Sequence, residues 1–271
     1  MRATAALAIE AVALPDGAMR SRVSTLRSQA PLMLRLTNPK GPEPWTGSDA
    51  GAARVCLAAG AAGPIGGDEY ALSVDVGAGA TLVLREVSAS LLLPGPQGGQ
   101  STLRTTVRVG AGATLVWLPE PVIAARGCHH LIDVCVELGA GARLVLREEL
   151  LLGRHGEQPG AVVQHLQVRL DGCPLLHQEL RLGPGAVGWD SAAVTGGRRA
   201  LGSLVVVDPA WADEPPSAAR LGDAAAVLPL AGPAALVSAL APDALVLRRC
   251  LDEGMRLLTA PSGERGSPAA S

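Results

Sequence analysis

Three segments of this chain repeat one another: VDVGAGATLVL from Val74, VRVGAGATLVW from Val107 and VCVELGAGARLVL from Val134. Each joins a Val-x-Val run to a glycine-alanine turn and then to alternating apolar residues, and internal repetition narrows the choice of fold more than any single motif. In the first copy Val74, Val76, Ala78, Ala80, Leu82 and Leu84 hold one parity and Ser73, Asp75, Thr81 and Arg85 the other. That is the period-two pattern of a half-buried strand. The parity persists through Val107, Val109, Ala111, Ala113, Leu115 and Trp117, and again from Val134 to Leu146. Each unit thus offers one apolar face from both its strands, more than it can bury alone. Starts separated by about 30 residues predict a mainly β fold of strand pairs stacked along an axis, a β-helical solenoid or elongated sandwich. An ordinary β-sandwich with similar hairpins is the alternative.

A fourth pair, LQVRLDGCPLLHQEL from Leu166, carries Asp171-Gly172, the dipeptide of a tight hairpin. After the Pro-rich stretch 208–216, the segment 243–258 sets Leu247, Cys250, Leu251, Gly254, Met255 and Leu258 at helical spacing behind Asp243, a predicted N-cap. The reading is one β domain over 1–258 with a small C-terminal helical element, a loop at 38–53, and a disordered tail over 259–271.

The chain has 271 residues with 48% hydrophobic side chains, yet no Phe and one Tyr, so Leu, Val and Ala must build the core. A net charge of -2 supplies no basic face for phosphates, which argues against nucleic acid. No apolar run approaches the roughly 20 residues that cross a bilayer, and the N-terminus lacks the order of a signal peptide. The expected location is therefore the cytoplasm. Five cysteines without a CxxC pair predict free thiols and not a disulfide framework or closed zinc site.

No Gly-x-Ser-x-Gly elbow, HExxH helix or spaced Ser-His-Asp set is present. The Gly-x-Gly of each repeat lacks the third glycine and the following helix of a dinucleotide site. Cys128-His129-His130 joins ligand types that borderline metals favour. Neighbours on a strand point to opposite faces, so at most Cys128 and His130 could share an ion. The acidic residues are more suggestive: Asp68 after Gly66-Gly67, Glu120 between two prolines, Glu148 and Glu149 after the third repeat, and Glu157 in Gly-Arg-His-Gly-Glu. In a stacked fold such carboxylates could align along one edge or channel as oxygen ligands for a passing cation; taken singly, each is better read as capping a turn or pairing with arginines such as Arg85, Arg147 and Arg154.

Several motifs occur in order from about residue 55 to 182: Gly63-Pro64-Ile65-Gly66-Gly67-Asp68, the glycine-alanine turns, Trp117-Leu118-Pro119-Glu120-Pro121, Leu152-Gly153-Arg154 with Gly156-Glu157, and Pro174-Leu175-Leu176. In these the chain resembles the urease accessory protein family UreD, also called UreH. The later Gly202-Ser203-Leu204 and Gly232-Pro233-Ala234 segments are similar to its more compact members. The resemblance implies a largely β helical sandwich with a small helical element, and a non-catalytic role in maturing the nickel enzyme urease. It implies as partners UreF, through it the GTPase UreG, and the urease subunits, in a complex whose two-fold symmetry would follow the partner's. No tightly bound cofactor is implied, only transient nickel along a water-filled passage. Asp68 is the residue carried over to that passage, with Gly66, Gly67, Glu120, Glu148, Arg154, Glu157 and Cys173 as further positions.

Leu247, Leu251 and Met255 of the helix are expected to face a partner. The chain departs from the family at Ser90-Leu91-Leu92-Leu93-Pro94, where a basic-aromatic cluster is common, at Cys173, where an acid is common, and in the short spacer between Arg154 and Glu157. The competing function, a small-molecule or carbohydrate-binding module or enzyme on a solenoid, would have few aromatic stacking platforms.

Overall fold

Each repeat bends at its glycine-alanine turn and sends its two strands into opposite sheets, as the computed structural model shows; it describes residues 1–39, 43–46 and 51–260. In chain order the strands are β1 (Arg2–Ala13), β2 (Met19–Arg27), β3 (Leu32–Leu36), β4 (Ala53–Ala59), β5 (Glu69–Val76), β6 (Thr81–Glu86), β7 (Ser90–Leu92), β8 (Ser101–Val109) and β9 (Thr114–Leu118). They continue as β10 (Val122–Ala124), β11 (His129–Leu138), β12 (Arg143–Leu151), β13 (Ala161–Leu170), β14 (Cys173–Leu182), β15 (Ala200–Val207), β16 (Ala219–Gly222), β17 (Ala225–Pro229) and β18 (Ala234–Ala241), before helix α1 (Ala244–Thr259). One sheet runs β14-β13-β11-β8-β5-β1-β2; the other runs β16-β17-β18-β15-β12-β9-β6-β4-β3, with β10 beside β12 and β7 beside β10.

The repeats stack in parallel and in register. Val74, Val107, Val136 and Val168 are successive partners in the first sheet. Leu82, Leu115 and Leu144, then Leu84, Trp117 and Leu146, are partners in the second. Partners in register place like side chains on one level, so each coil covers the apolar face of the next. This is the stacked, β-helical arrangement; the repeat units are arches between sheets, and the hairpin alternative does not describe them.

Two glycines per arch have separate tasks. Gly79, Gly112 and Gly141 adopt φ of 68°, 62° and 67°, a region costly for other residues. Gly110 and Gly139 lie where a Cβ would sit 2.7 and 2.9 Å from the backbone nitrogen of the preceding arch. The positive φ also turns the chain, so Ala78, Ala111 and Ala140 stand exposed at the crowns and only Ala80, Ala113 and Ala142 remain inside. The apolar parity therefore does not run unbroken through the turn.

The second sheet is covered twice. Its inward Leu82, Leu115, Leu144 and Val205 meet the first sheet, and its outward Val83, Val116, Val145, Leu204 and Val206 are buried with Trp211 and α1. A sheet buried on both faces reads as continuous apolar sequence, as in LVVV at 204–207. Asp171 and Gly172, at φ of 48° and 73°, close the β13–β14 hairpin with the type I′ geometry that matches strand twist.

Asp243 caps α1, accepting a hydrogen bond from the Val246 amide at 2.9 Å. Leu247 and Leu251 are fully buried against the chain's own β15 and β18, and Met255 packs beside them. This corrects the expectation that Leu247 and Leu251 face a partner: the second sheet's outer face needs an apolar cover, and α1 supplies it, while Met255 stays partly exposed at its edge. Leu251→Ala is expected to lower stability by about 3 kcal/mol, read as a lower urea midpoint at unchanged m-value. Helix α1 extends through Thr259; the rest of the expected tail at 261–271 and much of the 38–53 loop lie outside the described residues. Among the described residues no helix is long and apolar enough to cross a membrane.

Candidate functional site

The pentapeptide Leu-Val-Leu-Arg-Glu occurs twice, at 82–86 and 144–148. Strand alternation then places Glu86 and Glu148 on the inward parity of Leu84 and Leu146. Glu148 lies beside Ser203 on β15, and Ser203 beside Ser238 on β18. Gln164 of β13 faces this line from the first sheet and borders the same space as Glu148. Carboxylate, hydroxyl and amide groups thus form a row that crosses the strands and follows the stacking axis.

Three neighbouring cavities accompany the row, with volumes of about 80, 60 and 140 Å³. Glu86, Leu103, Val122 and Ile132 border the first and second; Glu148, Leu150 and Gln164 border the second and third. Each space holds a few waters at most. All are far below the roughly 300 Å³ at which pockets for organic ligands begin, so the interior suits hydrated ions and not a sugar.

Burial pushes the carboxyls of Glu86 and Glu148 up to about 7. Opposing it, Glu86 accepts the Glu120 backbone N–H, while Glu148 is hydrogen-bonded by Gln164 and by the Ser203 hydroxyl at 3.3 Å. An acid whose folded pKa lies above its unfolded value binds its proton more tightly when folded, so stability falls as pH rises from the unfolded value of 4.5 to about 7. Urea unfolding across that window should show a shallower decline for Glu148→Gln than for the parent chain.

The other anticipated positions distribute as follows. Asp68 does not border these cavities. Its carboxylate is taken up locally by the Met1 amino group at 2.6 Å, the Ile65 amide at 2.9 Å and the Tyr70 hydroxyl at 2.7 Å. Burial raises its pKa, but these three donors outweigh it and the net shift is downward. Gly66 and Gly67 belong to the turn that Asp68 ties together. Arg154 and Glu157 pair with each other at 2.7 Å in a surface turn, and the guanidinium draws Glu157 down to about 2. Cys173 opens β14 as an exposed free thiol. The self-paired turn and the surface thiol lie apart from the interior row, and Asp68 stands one residue behind the first cavity, which its partner Tyr70 borders.

Glu120 reaches the rim of the second cavity and pairs with Arg248 at 3.1 Å. Cys128 and His130 are buried while His129 lies on the outer face. Burial, with the Glu157 charge, raises the Cys128 thiol to about 11; burial, with His129, lowers His130 to about 4. Ser101 Oγ lies 2.7 Å from His130 Nδ1. These three side chains do not converge, and among the described residues no group of three His, Cys, Asp or Glu forms a metal site. Of the expected passage positions, then, only Glu148 lies in the row and Glu120 at its rim. Glu86, Gln164, Ser203 and Ser238 were missed, although the repeated pentapeptide and strand parity carried the signal for Glu86.

Comparison with known proteins finds relatives along nearly the whole chain. The family model described as UreD urease accessory protein matches residues 2–269. The chain is 46% identical over 244 residues to a urease accessory protein UreD of Streptomyces avermitilis, covering 90% of this chain and 93% of the relative. It is 44% identical over 244 residues to that of Streptomyces coelicolor, covering 90% and 92%. With that of Parafrankia sp. it shares 42% identity over 279 residues, covering 96% and 89%. A stacked β-helical sandwich with one C-terminal helix, matched over this length and at this identity, belongs to the UreD urease accessory protein family.

Proposed function

We propose that this chain is a cytoplasmic, non-catalytic scaffold of urease maturation that binds UreF, and through it the GTPase UreG, and docks on apo-urease while Ni²⁺ passes between its sheets. The observation that carries the reading is the row of Glu86 and Glu148 on an otherwise apolar inward parity, flanked by water-sized cavities. Burying a carboxylate is costly unless something compensates it, and an interior built for stability alone would place leucine there. Oxygen donors are chemically suited to a hydrated borderline cation. Nickel would exchange some of its waters for Glu86 and then Glu148 oxygens. A row of single carboxylates holds a cation less firmly than a closed cage of ligands, and a conduit requires release.

Among the described residues β14 and β16 end their sheets with no strand beyond them, and such edges offer backbone groups that invite pairing with other chains. Yield of soluble chain should therefore rise on co-expression with UreF. Tagged chain purified from cells making UreF, UreG and the urease subunits should bring UreF down in stoichiometric amount, in a complex with two copies of each. Recovery of the chain alone, soluble and folded, would overturn the scaffold reading.

A further inference from the structure

The second sheet has a gap in its wall. Strand β12 pairs with β9 through Arg143–Leu146 and with β10 at Leu150 and Leu151, so Arg147, Glu148 and Glu149 have no ladder partner on that side. The missing partner is Pro119-Glu120-Pro121, between β9 and β10. Proline has no amide hydrogen to donate, so this tripeptide cannot continue the ladder. Immediately behind the gap is the second cavity, bordered by Glu86 and Glu148 and also by Pro119, Glu120 and Glu149.

Two arginines close the gap from outside. Arg248 of α1 reaches Glu149 at 2.6 Å and Glu120 at 3.1 Å. Arg147 pairs with Glu149 at 2.9 Å and with Asp252 of α1 at 3.2 Å, and its other nitrogen lies 3.5 Å from the Pro119 carbonyl. The Glu149 side chain is 1% exposed, but Arg248 and Glu120 remain 28% and 34% exposed, so solvent meets the outer side of the closure. An apolar plug would seal such a gap with as much or more stability, since buried ion pairs gain little over well-packed hydrophobic groups. Ion pairs at the surface can instead be exchanged for a partner's charges.

We propose that the interruption at Pro119–Pro121 is a side portal through which a hydrated divalent cation enters or leaves the axial cavities, and that Arg248, with Arg147 behind it, is its latch. This rests on the reading of the cavities as a cation passage. While both guanidinium groups span the gap they repel a cation; displacing Arg248 leaves the carboxylates of Glu120 and Glu149 facing the opening with Glu86 behind them. A docked protein that offers a carboxylate to Arg248, or shifts the second turn of α1 that carries it, would open it.

The test needs neither nickel nor urease. In the full chain, with Cys56, Cys135, Cys173 and Cys250 replaced by serine and Cys128 by alanine, a single reporter Leu103→Cys is placed on the cavity wall opposite the gap. A second reporter, Leu201→Cys, is placed on the buried wall of the third cavity. The rate of modification by a small cationic methanethiosulfonate is followed with and without Arg248→Ala, and with Glu120→Gln as an independent release of the latch. Expected is a rise of about tenfold or more at the Leu103 position, the scale of releasing one local closure, with the Leu201 position unchanged. An unchanged rate at the Leu103 position in folded protein, or equal acceleration at both reporters, would overturn the portal. Either failure leaves the passage itself standing, because that is judged separately by urease activation in Glu148→Gln.

Discussion

Glu148→Gln is expected to lower nickel-dependent urease activation by about tenfold or more, the equivalent of ~1.4 kcal/mol of lost attraction for the ion, without loss of stability. Glutamine keeps the volume of Glu148 and can still bond Ser203 and Gln164, but it removes the anionic oxygen. The carboxyl is held up to about 7 by burial, so ionising it above neutrality opposes folding, and the amide should be as stable as the parent or more so. Activity falling while stability holds or rises is the signature of a residue kept for function. Urease activity per unit of folded chain, at limiting nickel and with Glu157→Gln as a surface control, would provide the measurement. Full activation in Glu148→Gln would remove the row from the nickel route.

Gly66→Ala should be the more damaging of two changes in the Gly-Gly-Asp turn, at about 3 kcal/mol, because it overpacks a backbone contact that cannot yield. A Cβ on Gly66 would sit 2.5 Å from the Gly95 nitrogen and 2.9 Å from the Gly99 oxygen, and one on Gly95 would sit 2.3 Å from the Gly66 oxygen. The two backbones are held at that distance by the Gly66 amide bonding the Leu93 carbonyl at 3.0 Å and the Leu93 amide bonding that of Pro64 at 2.9 Å. Gly67, at φ 90°, has open space where its Cβ would go, so Gly67→Ala carries only the left-handed penalty of roughly 1–2 kcal/mol. Urea midpoints of the two variants should separate clearly; equal losses would contradict the steric account. One of the motifs that carry the family resemblance is thereby explained as a docking turn, with Asp68 as its internal tie.

These two results divide the acidic motifs by what surrounds them. The residues 66–68 occur together because three backbone segments meet there. Glu86 and Glu148 occur at equivalent places because two coils repeat one pentapeptide and stack in register. Arg85 and Arg147, their neighbours, point outward and meet different partners: Glu43 at 3.5 Å in one coil, Glu149 and Asp252 in the other. The same five residues thus serve different surroundings, and local sequence does not encode the difference.

The sequence by itself determined a mainly β fold of repeated units, since apolar parity on both sides of a turn must be buried against further strands, and it left stacked arches and a sandwich of hairpins both open. It also determined the β13–β14 hairpin and the start of α1, because Asp-Gly and an Asp N-cap act through bonds a few residues away. It placed Glu148 among the candidates. Only the tertiary structure decided that each repeat spans two sheets, because an arch and a hairpin share one period-two pattern and differ in which strand accepts the hydrogen bonds. Only it decided that Leu247 and Leu251 cover the chain's own sheet, since an apolar helix face does not name its partner. Likewise the alignment of Glu86, Gln164, Ser203 and Ser238 depends on register among strands up to 152 residues apart, and register is a property of the assembled sheets.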